Sequence, residues 1–135
     1  MKKAYALAAV AALALSGCAT QVKTLPLQSS GERHGDLFYG EQTHPAVKTQ
    51  LGTASYSVRI ARRTDDADTA CGEALSTALQ KVRQAIQDRH GNAAINIKTR
   101  FHSTQSASST SYTCGVSSSA AAIAVTADIV VLDAQ

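Results

Sequence analysis

The chain has no tryptophan, two phenylalanines and four tyrosines in 135 residues. Any core it builds must rest on small aliphatic side chains, and such a core is thin. It also lacks an apolar run long enough to cross a membrane as a helix. Ala4 to Leu15 is too short and too alanine-rich, and the apolar stretch Ala120 to Leu132 is cut by Asp128. Catalytic signatures are absent. No G-x-S-x-G elbow exists for a serine hydrolase. His34, His44, His90 and His102 show neither i, i+4 helical spacing nor a pairing with C-x-x-C, so they read as surface histidines rather than metal ligands. Asp65, Asp66 and Asp68 crowd together, but no EF-hand glycine or distal glutamate follows them. Calcium binding is therefore the lesser alternative to a role at a helix start. No catalytic residue, metal or cofactor is expected.

What is present begins with an export leader. Lys2 and Lys3 form a positive n-region, Ala4 to Leu15 an apolar h-region, and Leu15-Ser16-Gly17-Cys18 follows at once. This order resembles the bacterial lipoprotein signal, in which small residues fit a peptidase cleft and the thiol at Cys18 carries the lipid. An ordinary secretory signal with a chance cysteine is the alternative. The resemblance implies cleavage before Cys18 and lipidation there. Ala19 in place of an aspartate implies sorting to the outer membrane, with the domain on its periplasmic side. Several acyl chains would anchor the domain far more firmly than one.

Removing the leader changes the charge argument. The full chain has 13 Lys+Arg against 10 Asp+Glu, and without Lys2 and Lys3 it has 11 against 10. The basicity is mostly targeting, and nucleic acid is not an expected partner. The cysteines also resolve. With Cys18 lipidated, Cys71 and Cys114 are the only possible intrachain pair, and an exported chain favours a disulfide.

The division expected is a signal peptide over 1–17, a lipidated flexible tether over 18–35, and one periplasmic domain over 36–135. The tether follows from Pro26, Ser29, Ser30 and Gly31 in a polar stretch. Leu37-Phe38-Tyr39 reads as a short edge strand. Pro45 and Gly52 bracket an expected helical turn with Val47 and Leu51 inward. Ala54 to Ala61 alternates as a half-buried strand, with Tyr56, Val58 and Ile60 on one side and Ser55, Ser57 and Arg59 on the other.

Asp68 to Phe101 is the organising stretch. Asp68 or Thr69 is placed to cap a helix whose inner face is Cys71, Leu75, Ala78, Leu79, Val82, Ala85 and Ile86. Gly91 is expected to stop it. The next strand is read with Ile95, Ile97, Thr99 and Phe101 inward and Asn96, Lys98, Arg100 and His102 outward. Ser103 to Ser111 reads as a loop, Tyr112 to Val116 as a short strand, and Ala120 to Leu132 as a buried strand. The fold class expected is α+β: one amphipathic helix on a small, mainly antiparallel sheet with a β-α-β-β core. Lys98, Arg100 and His102 form the candidate partner surface, suited to an anionic group such as a lipid A phosphate or peptidoglycan; a merely solvated strand face is the plainer reading.

Several of these residues carry a family resemblance. Gly91-Asn92-Ala93-Ala94-Ile95-Asn96-Ile97, after an Ala/Leu-rich helix, resembles the turn and strand of small YbjQ-like domains. It also resembles the disulfide-bonded core of the Rcs stress-sensor lipoprotein. Leu37 to Gln42, His44-Pro45, Cys71 and Cys114 are similar to the pattern of small exported bacterial proteins often labelled "excinuclease ATPase subunit". Ala93-Ala94 and a serine-rich loop depart from that group. The resemblance implies fold and compartment, and no reaction. The label itself fails on chemistry, because the chain has neither a G-x-x-x-x-G-K-[ST] phosphate loop nor zinc-type cysteine pairs. The expected function is a non-enzymatic binding, sensing or assembly component of the envelope with a protein partner. The alternative is a small ligand- or metal-binding module.

Overall fold

The computed structural model describes residues 20–27 and 35–134. The leader, Cys18 and His34 lie outside the described residues.

Helix α1 spans Ala67–Asp88 and buries Ala70, Cys71, Ala74, Leu75, Ala78, Leu79, Val82, Ala85 and Ile86. The spacing of three and four that marks this stripe in the sequence is the face it presents to the sheet. Four alanines in the stripe let the helix axis sit close. The N-cap is Asp66, not Asp68 or Thr69. Its carboxylate accepts from the Asp68 amide at 3.2 Å and from the Thr69 hydroxyl at 2.6 Å. The Thr69 hydroxyl, and then the Asp68 amide, hold the Asp66 carboxyl below its ordinary value. The expected cap is thus displaced because Thr69 donates to Asp66 instead of capping. Asp68 turns to Lys23, 2.6 Å away.

At the other end His90 adopts φ 60. Its amide bonds the Gln87 carbonyl, and the Gly91 amide bonds the Ile86 carbonyl. That is a Schellman ending with His90, not Gly91, in the left-handed position. Gly91 serves close approach: a Cβ there would lie 2.8 Å from the Val130 carbonyl oxygen.

Among the described residues the sheet has seven strands: β1 (Gln21–Pro26), β2 (Leu37–Tyr39), β3 (Val47–Ala61), β4 (Ala93–Phe101), β5 (Thr104–Ser106), β6 (Ser111–Val116) and β7 (Ala120–Leu132). The described residues form an α+β unit with one helix, but it is dominated by the sheet and is not the four-element β-α-β-β core that the sequence suggested. β7 is the spine. β3 runs antiparallel along one edge of it. The other edge is shared, by β4 over Ala124–Val130 and by β6 over Ala121 and Ala122. β1 adds to β6, β5 to β4, and β2 pairs parallel with β4.

Three local expectations are corrected. Gln21 to Pro26, expected within the tether, is β1, fully paired from Gln21↔Val116 to Pro26↔Ser111. Pro26 closes the strand, where a missing donor is tolerated. The helical turn expected at 45–52 is instead the first part of β3. Gly52 does not end an element; at φ +96 it forms a bulge inside the strand. A second bulge, at Asn96 with φ 53, shifts the register of β4 on β7. Ile95 and Ile97 therefore face opposite sides. Ala94 and Ile97 join the helix-side core, while Ala93 and Ile95 join a small outer cluster with Val130 and Leu132. Both bulges flank Asp128, whose carboxylate accepts from Thr53 Oγ1 at 3.0 Å and Asn96 Nδ2 at 3.5 Å.

Cys71 and Cys114 form a disulfide, with Cα atoms 5.9 Å apart and both side chains fully buried. It ties the first turn of α1 to the middle of β6.

Candidate functional site

The helix packs on one face of the sheet. The other face is open along its middle, and alternation decides what stands on it. In antiparallel pairs, residues directly opposite share a face. The register sets Arg59 beside Ala122, Ser57 beside Ala124 and Ser55 beside Thr126. On the far side of β7 it sets Arg100 beside Ala124 and Lys98 beside Thr126. The open face is therefore a low floor of Ala122, Ala124 and Thr126 between a β3 row and a β4 row. Those rows are one strand either side of β7, about 10 Å apart.

A shallow groove of about 260 Å³ follows this floor, lined among others by Arg59, Arg100, Phe101, His102, Ala122 and Ala124. Its aromatic wall has a local cause. The two-residue turn from β4 to β5 puts His102 at φ 52. The imidazole meets Phe101 edge-on, with ring centroids 4.2 Å apart. The Phe101 ring in turn lies over Gly115, where any Cβ would collide with it.

The structure brings the predicted residues Lys98, Arg100 and His102 to this one face. Lys98 and Arg100 share a strand row, and His102 reaches the groove from the turn. It adds Arg59, which sequence reasoning placed outward on another strand but could not place beside them. Arg59 and Arg100 are exposed and Lys98 is half-buried. Among the described residues, the ion pairs Lys23–Asp68 and Arg83–Asp36 lie elsewhere, and no carboxylate pairs with Arg59, Lys98 or Arg100. Asp128, the acid of this face, is engaged by Thr53 and Asn96. Uncompensated guanidinium groups over a small-residue floor can hold an anionic group with their fork of donors.

The other sequence candidates are dispersed. His44 sits half-buried against Phe38, ring centroids 5.6 Å apart, with Nδ1 2.7 Å from the Pro45 carbonyl oxygen. His90 is at the helix end. Asp66 and Asp68 serve the cap and Lys23. Among the described residues, no group of three or more His, Cys, Asp or Glu gathers as a metal site, and no helix is long and apolar enough to cross a membrane.

Fold and site together define an α+β domain, disulfide-stapled on its covered face and basic on its open one. No family model matches the chain, and no curated protein or solved structure matches it either.

Proposed function

We propose that this chain is an exported lipoprotein, anchored through Cys18 on the periplasmic side of the outer membrane, that acts without catalysis by presenting its domain to an envelope protein. The open basic face carries the partner side of this reading: Arg59, Lys98, Arg100 and His102 share that face, and among the described residues no carboxylate pairs with its three permanent cations. The compartment is supported by the leader and lipobox sequence and by the buried Cys71–Cys114 disulfide, a bond that persists in oxidising surroundings. The likeness to small exported proteins and to the Rcs sensor core points the same way. The groove between Arg59 and Arg100 favours one second reading, a module for a small anionic ligand.

Two measurements test the proposal. Mass spectrometry of the mature N-terminus is expected to find acylated Cys18 as the first residue; an unmodified Cys18 overturns the localisation. Photocrosslinkers placed in cells at Lys98 and Arg100 are expected to give a discrete protein adduct, lost when Arg59→Glu is added. No adduct, together with saturable binding of a small anion such as phosphate by the purified protein, favours the second reading.

A further inference from the structure

β1 stands where a tether was expected, and it shortens the leash. Gln21 is already paired with Val116, so the sheet begins three residues after Cys18. Three residues in any conformation span at most about 11 Å. An acylated Cys18 lies at the bilayer surface, so Gln21 would be held within roughly that distance of it.

Topology fixes which end of the molecule Gln21 belongs to. Val116 pairs with Ala121, and Ala61 with Ala120. The same end therefore carries the residues 62–66 that lead into α1 and the β6–β7 turn at 117–119. These two segments are fastened together. The Arg62 amide donates to the Ser119 carbonyl at 2.9 Å, and the Arg62 guanidinium donates to the carbonyls of Ser117 at 2.9 Å and Thr64 at 2.8 Å. The result is a braced polar tip that exposes Arg63, Asp65, Ser118 and Ser119. It has charges of both signs and hydroxyls but no large apolar group. That suits a layer of phosphates and ammonium groups and not the hydrocarbon beneath.

We infer that this tip, the 62–66 segment with the 117–119 turn, rests on the phospholipid headgroups of the membrane that anchors Cys18, and that the sheet stands upright from it. The inference rests on the lipoprotein reading above and deepens it. The basic face then opens sideways, with Arg59 in the half nearest the bilayer, so the partner it meets belongs to the same membrane or lies on its surface. The far end is well separated. β7 has 13 residues, which at about 3.3 Å each carries Leu132 roughly 40 Å away.

The test uses the full lipidated protein in phosphatidylethanolamine/phosphatidylglycerol vesicles that carry a gadolinium chelate on a fraction of the headgroups. Nitroxide labels are placed through Ser118→Cys or, in a second sample, Ala134→Cys. Strong relaxation at position 118 with little at 134 is expected. Insertion of a 20-residue Gly/Ser segment after Ala19 is expected to abolish that difference. Equal relaxation at the two positions without the insertion overturns the orientation. So does a label at 118 that relaxes weakly with and without the insertion, since the tip is then not at the headgroups. A preparation whose N-terminal peptide carries no acyl chain refutes the anchor and the orientation together, and the mass spectrum separates that failure from a lipidated protein whose two labels behave alike.

Discussion

Two glycines show how differently single residues are constrained here. Gly40 follows β2 at φ +54, and its amide bonds the Ile97 carbonyl at 3.0 Å. A Cβ added there would run into the carbonyl of Ala107, a backbone group on the segment between β5 and β6. Gly52, at φ +96, has only the end of the Arg89 side chain nearby, 3.3 Å from where a Cβ would sit. Both sites impose the left-handed penalty on an L-residue, about 1 kcal/mol or more. At Gly40 the overlap adds to it, because a carbonyl cannot rotate away as a guanidinium can. Gly52→Ala is thus expected to cost about 1 kcal/mol, and Gly40→Ala about 2–4 kcal/mol, with displacement of Ala107. Urea unfolding of the two variants checks this; equal losses would mean that the Ala107 segment yields without cost.

At the scale of elements, helix α1 stops one residue earlier in its geometry than glycine placement suggests. His90 bears the left-handed conformation and is exposed, so its imidazole gains nothing from burial in return. His90→Gly should therefore stabilise by about 1 kcal/mol and raise the melting temperature by about 4–8 °C, read by circular dichroism. Gly91→Ala should lower it, because the Cβ would crowd the Val130 carbonyl. A neutral or negative effect of His90→Gly would show that the ring makes a contact worth as much as the strain. The same turn explains what was legible. The periodicity of α1 and the alternation of 54–61 are local, and the sequence displays them directly. Bulges are not local. Gly52 and Asn96 acquire their roles only against β7, so a glycine that interrupts a strand looks like a terminator, and a bulge that reverses Ile95 looks like plain alternation. β1 was hidden for a related reason: Gln21 to Pro26 has one buried apolar position, Leu25, and its strand character comes from pairing with β6. The candidate face was half legible. Lys98 and Arg100 follow from alternation within one strand, whereas Arg59 joins them only through β7 lying between.

The molecule as a whole must stay folded on a thin core. Among the described residues the largest fully buried side chain is Tyr112, followed by aliphatics such as Leu37, Leu75, Leu79 and Ile97; both phenylalanines remain partly exposed. Against that background the disulfide is large. Cys71 and Cys114 are separated by 43 residues in sequence, and closing such a loop in the unfolded chain is worth up to about 4 kcal/mol on the loop-entropy argument. Domains of this size have only about 5–15 kcal/mol in total, so the staple alone can decide whether the fold is populated. Reduction, or the pair Cys71→Ala with Cys114→Ala, is expected to remove most of that amount, seen as a lowered urea midpoint. Because both sulfurs are fully buried, a reductant reaches them only when the helix start parts from β6. The rate of reduction should then follow unfolding, falling in His90→Gly and rising in Gly40→Ala. A bond that reduces at one rate in all three proteins, with no change in the urea midpoint, would instead be exposed by a local opening and would fit a redox reporter. The packing argues for the first outcome: Cys71 lies in the same buried stripe as Leu75 and Leu79, and freeing it means lifting the first turn of α1 off the sheet.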